Sequence, residues 1–209
     1  MAAGEPRCGH RHPLLGNPHH NPLVGGGLHP GGDPLQPAAA ELRLKISEVV
    51  DRSVLTFFGS GLFPVAPGTA GSLAALVVGW GAWNICDPSF QPYLFPLLGI
   101  LASAGCVICG ERIEALFGKK DPGAVVIDEA AGQWLALSAL PWLAPESVDQ
   151  IWPWAAAFVG FRILDVLKPF GIRRLESLPR GWGVLLDDVA AGLVVAPLLW
   201  VGMRYWGAS

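Results

Sequence analysis

From Leu42 to Phe58 the apolar residues Leu42, Ile46, Val49, Val50, Val54 and Phe57 recur at helical spacing, with Arg43, Lys45, Glu48, Asp51 and Arg52 between them. That period predicts an amphipathic helix. Beyond it the apolar positions become continuous. Thr69–Cys86 and Pro88–Gly110 carry no charge, and Ala130–Pro145, Ile151–Phe161 and Val189–Met203 are apolar as well. A helix needs ~20 largely apolar residues to cross a bilayer. Pro88–Gly110 meets that length alone, and the others reach it only with their ends included. The pattern predicts an all-α fold: a multi-pass membrane helical bundle with about five spans, preceded by the amphipathic helix. An unusually apolar soluble bundle is the alternative.

Composition points towards the membrane. The chain has 209 residues, 52% of them hydrophobic and 15% charged, with nine Trp; soluble domains are usually ~25% charged. The net charge of −3 offers no basic excess for nucleic acid. Cys106-x-x-Cys109 stands alone in an apolar run, which suits buried small hydrophobes better than a metal or redox pair.

Residues 1–40 form a separate segment. They hold eight Gly, seven Pro and all five His of the chain. Such a composition cannot bury enough surface to offset the entropy of ordering and reads as a disordered tail. Residues 41–209 then form the helical domain. With no His in that domain, a phosphohistidine, a Ser-His pair or a His-ligated zinc is hard to build.

Charges in the connections alternate. Arg43, Lys45 and Arg52 precede the first apolar stretch, and only Asp87 separates it from the second. Arg112, Lys119 and Lys120 follow the second, Glu146 and Asp149 the third, and Lys168, Arg173, Arg174 and Arg180 the fourth. This is the positive-inside pattern with the N-terminus inside. It predicts an inner-membrane protein whose polar motifs, at 59–71, 121–129 and 162–188, all meet the cytoplasmic face, where a lipid head group would be handled.

The candidate chemistry lies in those motifs. Asp128-Glu129 and Asp187-Asp188 are acidic pairs set in otherwise apolar runs. Burying unpaired carboxylates is costly. Within a membrane such residues suggest function, and hard divalent cations gather oxygen ligands. Adjacent helical positions diverge by ~100°, so one member of each pair can face the site while the other binds a second ligand or a cation elsewhere. The run Gly59-Ser60-Gly61-Leu62-Phe63-Pro64-Val65-Ala66-Pro67-Gly68-Thr69-Ala70-Gly71-Ser72 leads into an apolar helix. Its small residues predict backbone N–H groups open to an anion at a helix N-terminus, with Thr69 or Ser72 as cap. Arg162, Asp165 and Lys168 share one helical face, as an ion-pair ladder, as phosphate ligands, or as both. Glu111 is a further possible site member. Cys106 to Arg112 has the C-x5-R spacing of cysteine phosphatases, but a continuous apolar run is the wrong setting for a reactive thiolate.

Three blocks together resemble the phosphatidylglycerophosphatase A family over roughly residues 54–203. They are Phe58-Gly59-Ser60-Gly61-x-x-Pro64-x-Ala66-Pro67-Gly68-Thr69-x-Gly71-Ser72; Asp121-Pro122-Gly123 with Val126-Ile127-Asp128-Glu129-x-x-Gly132-Gln133-Trp134; and Phe161-Arg162-x-x-Asp165-x-x-Lys168-Pro169 followed by Gly183-Val184-x-x-Asp187-Asp188-x-x-Ala191-Gly192. The resemblance implies a helical membrane phosphatase that uses magnesium (Mg2+) to convert phosphatidylglycerophosphate into phosphatidylglycerol during phospholipid biosynthesis. It implies Asp128, Glu129, Asp187 and Asp188 as metal ligands, and Asp128, Glu129, Asp188 and Arg162 as the catalytic group. Gly59, Ser60, Gly61, Pro67, Gly68, Thr69, Ser72 and Lys168 would attend the substrate. Gly171 and Arg180-Gly181-Trp182 depart from the family pattern, both in the loop between the fourth and fifth stretches. Two other readings fit the residues alone: a helical phosphatase acting on a soluble phosphate ester, and a small cation-coupled membrane transporter, since intramembrane carboxylates also suit ion pathways.

Overall fold

The computed structural model describes residues 35–119, 122–143, 148–169 and 181–206. The His-rich stretch, Asp121, Glu146, Gly171, Arg173, Arg174 and Arg180 lie outside them. All regular structure among the described residues is helical. Helix α1 spans Leu35–Leu55, α2 Pro67–Ile85, α3 Gln91–Gly110, α4 Ile113–Phe117, α5 Ile127–Leu137, α6 Ile151–Leu167 and α7 Gly181–Trp206, with 3₁₀ turns at Ser60–Leu62 and Leu140–Trp142. Residues 40–209 cluster as one unit.

The amphipathic helix predicted from Leu42 begins seven residues earlier and stops at Leu55. It stops there because Phe57 and Phe58 both take positive φ, a conformation that cannot continue a right-handed helix. Its C-terminal half is fastened to the bundle. Arg52 donates to the Leu116 carbonyl at 2.5 Å and stacks over Phe117, Arg112 pairs with Asp51 at 2.7 Å, and the Val126 N–H donates to the Leu55 carbonyl. Further towards the N-terminus, Leu42, Leu44, Ile46, Val49 and Val50 remain exposed.

Helix α5 is the centre of the fold. Of its eleven residues, only Glu129 and Leu135 are not buried. Ala130, Ala131, Gly132 and Ala136 are small enough to let α2, α3, α6 and α7 all approach it. The Trp134 indole N–H donates to the Ala75 carbonyl of α2 at 2.9 Å, and a Cβ at Gly99 of α3 would sit 3.0 Å from the Leu135 side chain. The tightest approach is to α7, where a Cβ at Gly192 would lie 2.3 Å from the Gly132 carbonyl oxygen. Away from the acidic pairs, Trp83, Phe95 and Trp154 form a ring cluster with centroids 5.7 to 6.1 Å apart, such aromatic pairs contributing ~0.5–1.5 kcal/mol each beyond area burial.

Two described helical segments, Gln91–Gly110 and Leu185–Tyr205, are long and apolar enough to cross a membrane. Much of their surface faces outwards, including Leu97, Ile100, Leu101 and Ile108 on α3 and Leu193, Leu198 and Val201 on α7. The third apolar stretch, Ala130–Pro145, is not one continuous helix. It divides into α5, about 16 Å long at 1.5 Å per residue, and the turn at Leu140–Trp142. In the α2–α3 connection, the Ser89 hydroxyl and N–H donate to Asp87 at 2.6 and 2.9 Å and hold its carboxyl below the usual range.

Candidate metal and phosphate site

Asp128 and Asp188 each stand four residues before a glycine of the α5–α7 crossing, Gly132 and Gly192. Residues four apart share a helix face. The close crossing therefore sets the two carboxylates against each other one turn away. Glu129 joins them, and one oxygen of each of the three lies within 4.8 Å of the others. Asp128 and Asp188 are 5% and 3% exposed. Asp128 Oδ1 and Glu129 Oε2 are buried with no hydrogen-bond partner.

The surrounding groups come from the other motifs. Arg162 on α6 pairs with Asp165, and its Nη1 lies 3.5 Å from the Ser72 hydroxyl. Lys168 ends α6 in a left-handed conformation and pairs with Asp187. The N-terminal turn of α2 faces the same place: a Cβ at Gly68 would come within 2.4 Å of Glu129 Oε1 and 3.5 Å of Arg162 Nη1. Only glycine leaves that space, and a carboxylate at a helix N-terminus is favoured by the macrodipole. Among the described residues, five carboxylates (Asp128, Glu129, Asp165, Asp187 and Asp188) thus gather with two basic groups, Arg162 and Lys168.

The donor set fits a hard divalent cation. Three carboxylate oxygens converge, three buried carboxylate oxygens (Asp128 Oδ1, Glu129 Oε2 and Asp187 Oδ1) are orphaned, and the carboxylates outnumber the basic groups. Such ions are held by oxygen ligands, often with retained water.

Several expectations change. Asp187 is not among the three converging carboxylates, because its side chain turns to Lys168; Lys168 is correspondingly engaged by a carboxylate. The divergence expected within an acidic pair separates Asp187 from Asp188 but not Asp128 from Glu129, whose longer side chain returns to the same point. Neither Thr69 nor Ser72 caps α2. The helix starts at Pro67 with Ala66 as N-cap, and the Ser72 hydroxyl donates back to the Gly68 carbonyl at 2.8 Å.

The glycine run also divides. The N–H groups of Gly59, Ser60 and Gly61 are committed to turn hydrogen bonds with Thr56 and Phe57, and the Ser60 hydroxyl donates to the Phe57 carbonyl. They are not an open anion cradle. Gly61 and Gly71 instead allow close packing, since a Cβ would meet Ala124 O at 2.1 Å and Val126 Cβ at 2.6 Å respectively. The Pro67–Ser72 end reaches the site, through Gly68 beside Glu129 and Ser72 beside Arg162. Glu111 is exposed at the end of α3. The C-x5-R spacing carries no phosphatase loop, because Cys106 is buried inside α3 and Arg112 is paired with Asp51.

Two features were not singled out from the sequence. One is the crossing itself, legible in retrospect as Asp-x-x-x-Gly occurring in both helices. The other is Gln133, one turn beyond Glu129, fully buried with both amide atoms unpartnered. A polar residue within a run of Ala, Gly and Trp was the available signal.

Comparison with known proteins identifies the family. The family model described as phosphatidylglycerophosphatase A matches residues 53–203. Phosphatidylglycerophosphatase A of Escherichia coli is 38% identical over 71% of this chain and 81% of its own length. The protein of that name in Haemophilus influenzae is 37% identical over 71% of this chain and 85% of its own. A Bacteroides thetaiotaomicron protein, provisionally named a phosphatidylinositol-3-phosphatase, is 35% identical over 70% of this chain and 91% of its own. No solved structure matches. The match spans α2 to α7 and every residue of the carboxylate site, and this chain belongs to the phosphatidylglycerophosphatase A family.

Proposed function

We propose that this protein is a magnesium-dependent phosphatase that hydrolyses phosphatidylglycerophosphate to phosphatidylglycerol and phosphate, a step of phospholipid biosynthesis. The observation that carries this reading is the meeting of three carboxylates from α5 and α7 beside Arg162. Asp128, Glu129 and Asp188 would hold the ion, which when bound neutralises phosphate charge and activates water. Arg162, oriented by Asp165, offers a planar fork of donors to two phosphate oxygens. The first turn of α2 presents N–H groups to the same anion. A carboxylate of the cluster takes a proton as water oxygen bonds to phosphorus. The phosphorus–ester bond breaks, and the lipid oxygen leaves with a proton.

The five-span reading, with the site at the cytoplasmic face of the inner membrane, belongs to the same proposal. Its support is the alternation of basic and non-basic connections and the outward apolar surfaces of α2, α3, α6 and α7. The acyl chains of the substrate then stay in the bilayer and only the head group enters.

The test is phosphate release by protein purified in detergent, with phosphatidylglycerophosphate, phosphatidylinositol 3-phosphate and glycerol 3-phosphate as substrates, with magnesium or chelator. Release from phosphatidylglycerophosphate alone, lost with chelator and in Asp128→Asn and Asp188→Asn, is expected. The variants should fall by more than the ~10–100-fold typical of groups that merely support a ligand. Full turnover in both would remove the acidic site from the reaction. The inositol lipid is included because one relative is provisionally named for it.

A further inference from the structure

Among the described residues, the buried side-chain atoms without a hydrogen-bond partner belong to Asp128, Glu129, Asp187 and Gln133. The first three are carboxylates of the site. Gln133 is fully buried, and both its amide atoms, Nε2 and Oε1, are unpartnered. Burying an amide in that condition is costly, so the fold keeps this residue against its own stability. Departures of this kind call for a ligand or another functional reason.

Position ties Gln133 to the ion site. It stands four residues after Glu129, so the two share a face of α5, whereas the neighbouring Gly132 is turned to Gly192 of α7 and Phe161 of α6. Gly68 of α2 meets Glu129 and Ala75 meets Trp134, which sets Gln133 alongside the stretch of α2 that holds Ser72. Arg162 follows Phe161 on α6. Gln133 therefore lies one turn deeper than Glu129, at the level of Ser72 and Arg162. The Glu129 carboxylate is drawn towards Gly68, and its Oε2 and the Gln133 amide do not bond each other.

The chemistry of these atoms selects the ligand. The unpartnered set on this face is two acceptors, Glu129 Oε2 and Gln133 Oε1, and one donor, Gln133 Nε2. A phosphate oxygen only accepts, so it would answer the amide nitrogen and repel the amide oxygen; a cation would do the reverse. One water can donate to both acceptors while accepting from Nε2, and buried waters typically make ~3 such bonds. We infer that Gln133 is a positioning residue of the ion site, holding a water against Glu129 and so fixing that carboxylate for the cation. Groups that orient a metal ligand in this way set its affinity for the ion. This inference rests on the magnesium site of the proposed phosphatase.

The test is the melting temperature of the full chain in detergent across a magnesium titration, for wild type and Gln133→Met. Methionine keeps the length of the side chain and removes the amide, and an ion that binds the folded state raises the melting temperature. The metal-free variant should melt at the wild-type temperature or above it, because a costly polar burial is gone. The magnesium concentration for half of the shift should rise by about tenfold or more, the scale on which groups that orient a metal ligand act. Gln133→Asn, which keeps the amide on a shorter stem, should fall between the two. A lower metal-free melting temperature, or failure of Gln133→Met to fold, would make Gln133 a packing element and overturn the inference. So would a magnesium midpoint unchanged by the substitution, or no magnesium response in wild type. Proteins that show the expected midpoints while wild type releases no phosphate from phosphatidylglycerophosphate would refute the activity and leave the role of Gln133 standing.

Discussion

Gly192→Ala tests whether the glycine crossing aligns the site. The added Cβ would sit 2.3 Å from the Gly132 carbonyl oxygen and 3.0 Å from its carbon, against an ordinary contact of at least 3.4 Å. Both obstructing atoms are backbone, so no rotamer change relieves them. Helices α5 and α7 must separate by about 1 Å, the difference between these distances. Overpacking of this kind costs ~1–3 kcal/mol, which a bundle with this much α5 burial survives. The carboxylates fare worse. Asp128 rides on α5 and Asp188 on α7, each one turn from the contact, and their separation widens with it. A misplacement of about 1 Å costs on the order of 100-fold in rate. The expected result is a ~100-fold fall in kcat/KM, with a higher magnesium requirement and near-normal yield in detergent. Gly81→Ala is the control, because a Cβ there meets nothing within 4 Å. Phosphate release is measured across a magnesium titration for both variants. If Gly192→Ala keeps wild-type activity and magnesium response, the crossing does not set the geometry, and the account of how Asp128 and Asp188 meet is wrong.

Two further predictions concern charge. Lys168→Met strands Asp187, which is 4% exposed, and removing one partner of a buried pair costs ~3–5 kcal/mol. The melting temperature in detergent should drop clearly and recover in Lys168→Met with Asp187→Leu; no recovery would mean that Lys168 acts through other contacts. Because carboxylate ligands must lose their protons to hold a cation, the magnesium concentration for half-maximal activity should rise as pH falls from 8 to about 5.5. A magnesium requirement flat across that range would count against carboxylate ligation.

The sequence carried the helices well, because continuous apolar runs and a 3.6 period come from local chemistry. Element ends were less legible. Helix α1 begins at Leu35 within a stretch rich in Gly and Pro, and α2 begins at Pro67 because the proline ring fits the first helical turn. The acidic pairs stood out for the same local reason, as charges where charges are expensive. What one sequence could not supply was the third dimension. Asp187 and Asp188 look alike on paper, and only the orientation of α7 decides that one meets Lys168 and the other meets Asp128. The glycines show the same limit. Gly59, Gly61, Gly68 and Gly71 all read as room for a phosphate, yet they serve a left-handed turn, a close pass beneath Ala124, a gap for Glu129 and a seat for Val126 respectively. A glycine reports that something comes close but not what does. At Gly132 and Gly192 it is another helix, and that contact turns two separate Asp-x-x-x-Gly segments into one candidate ion site.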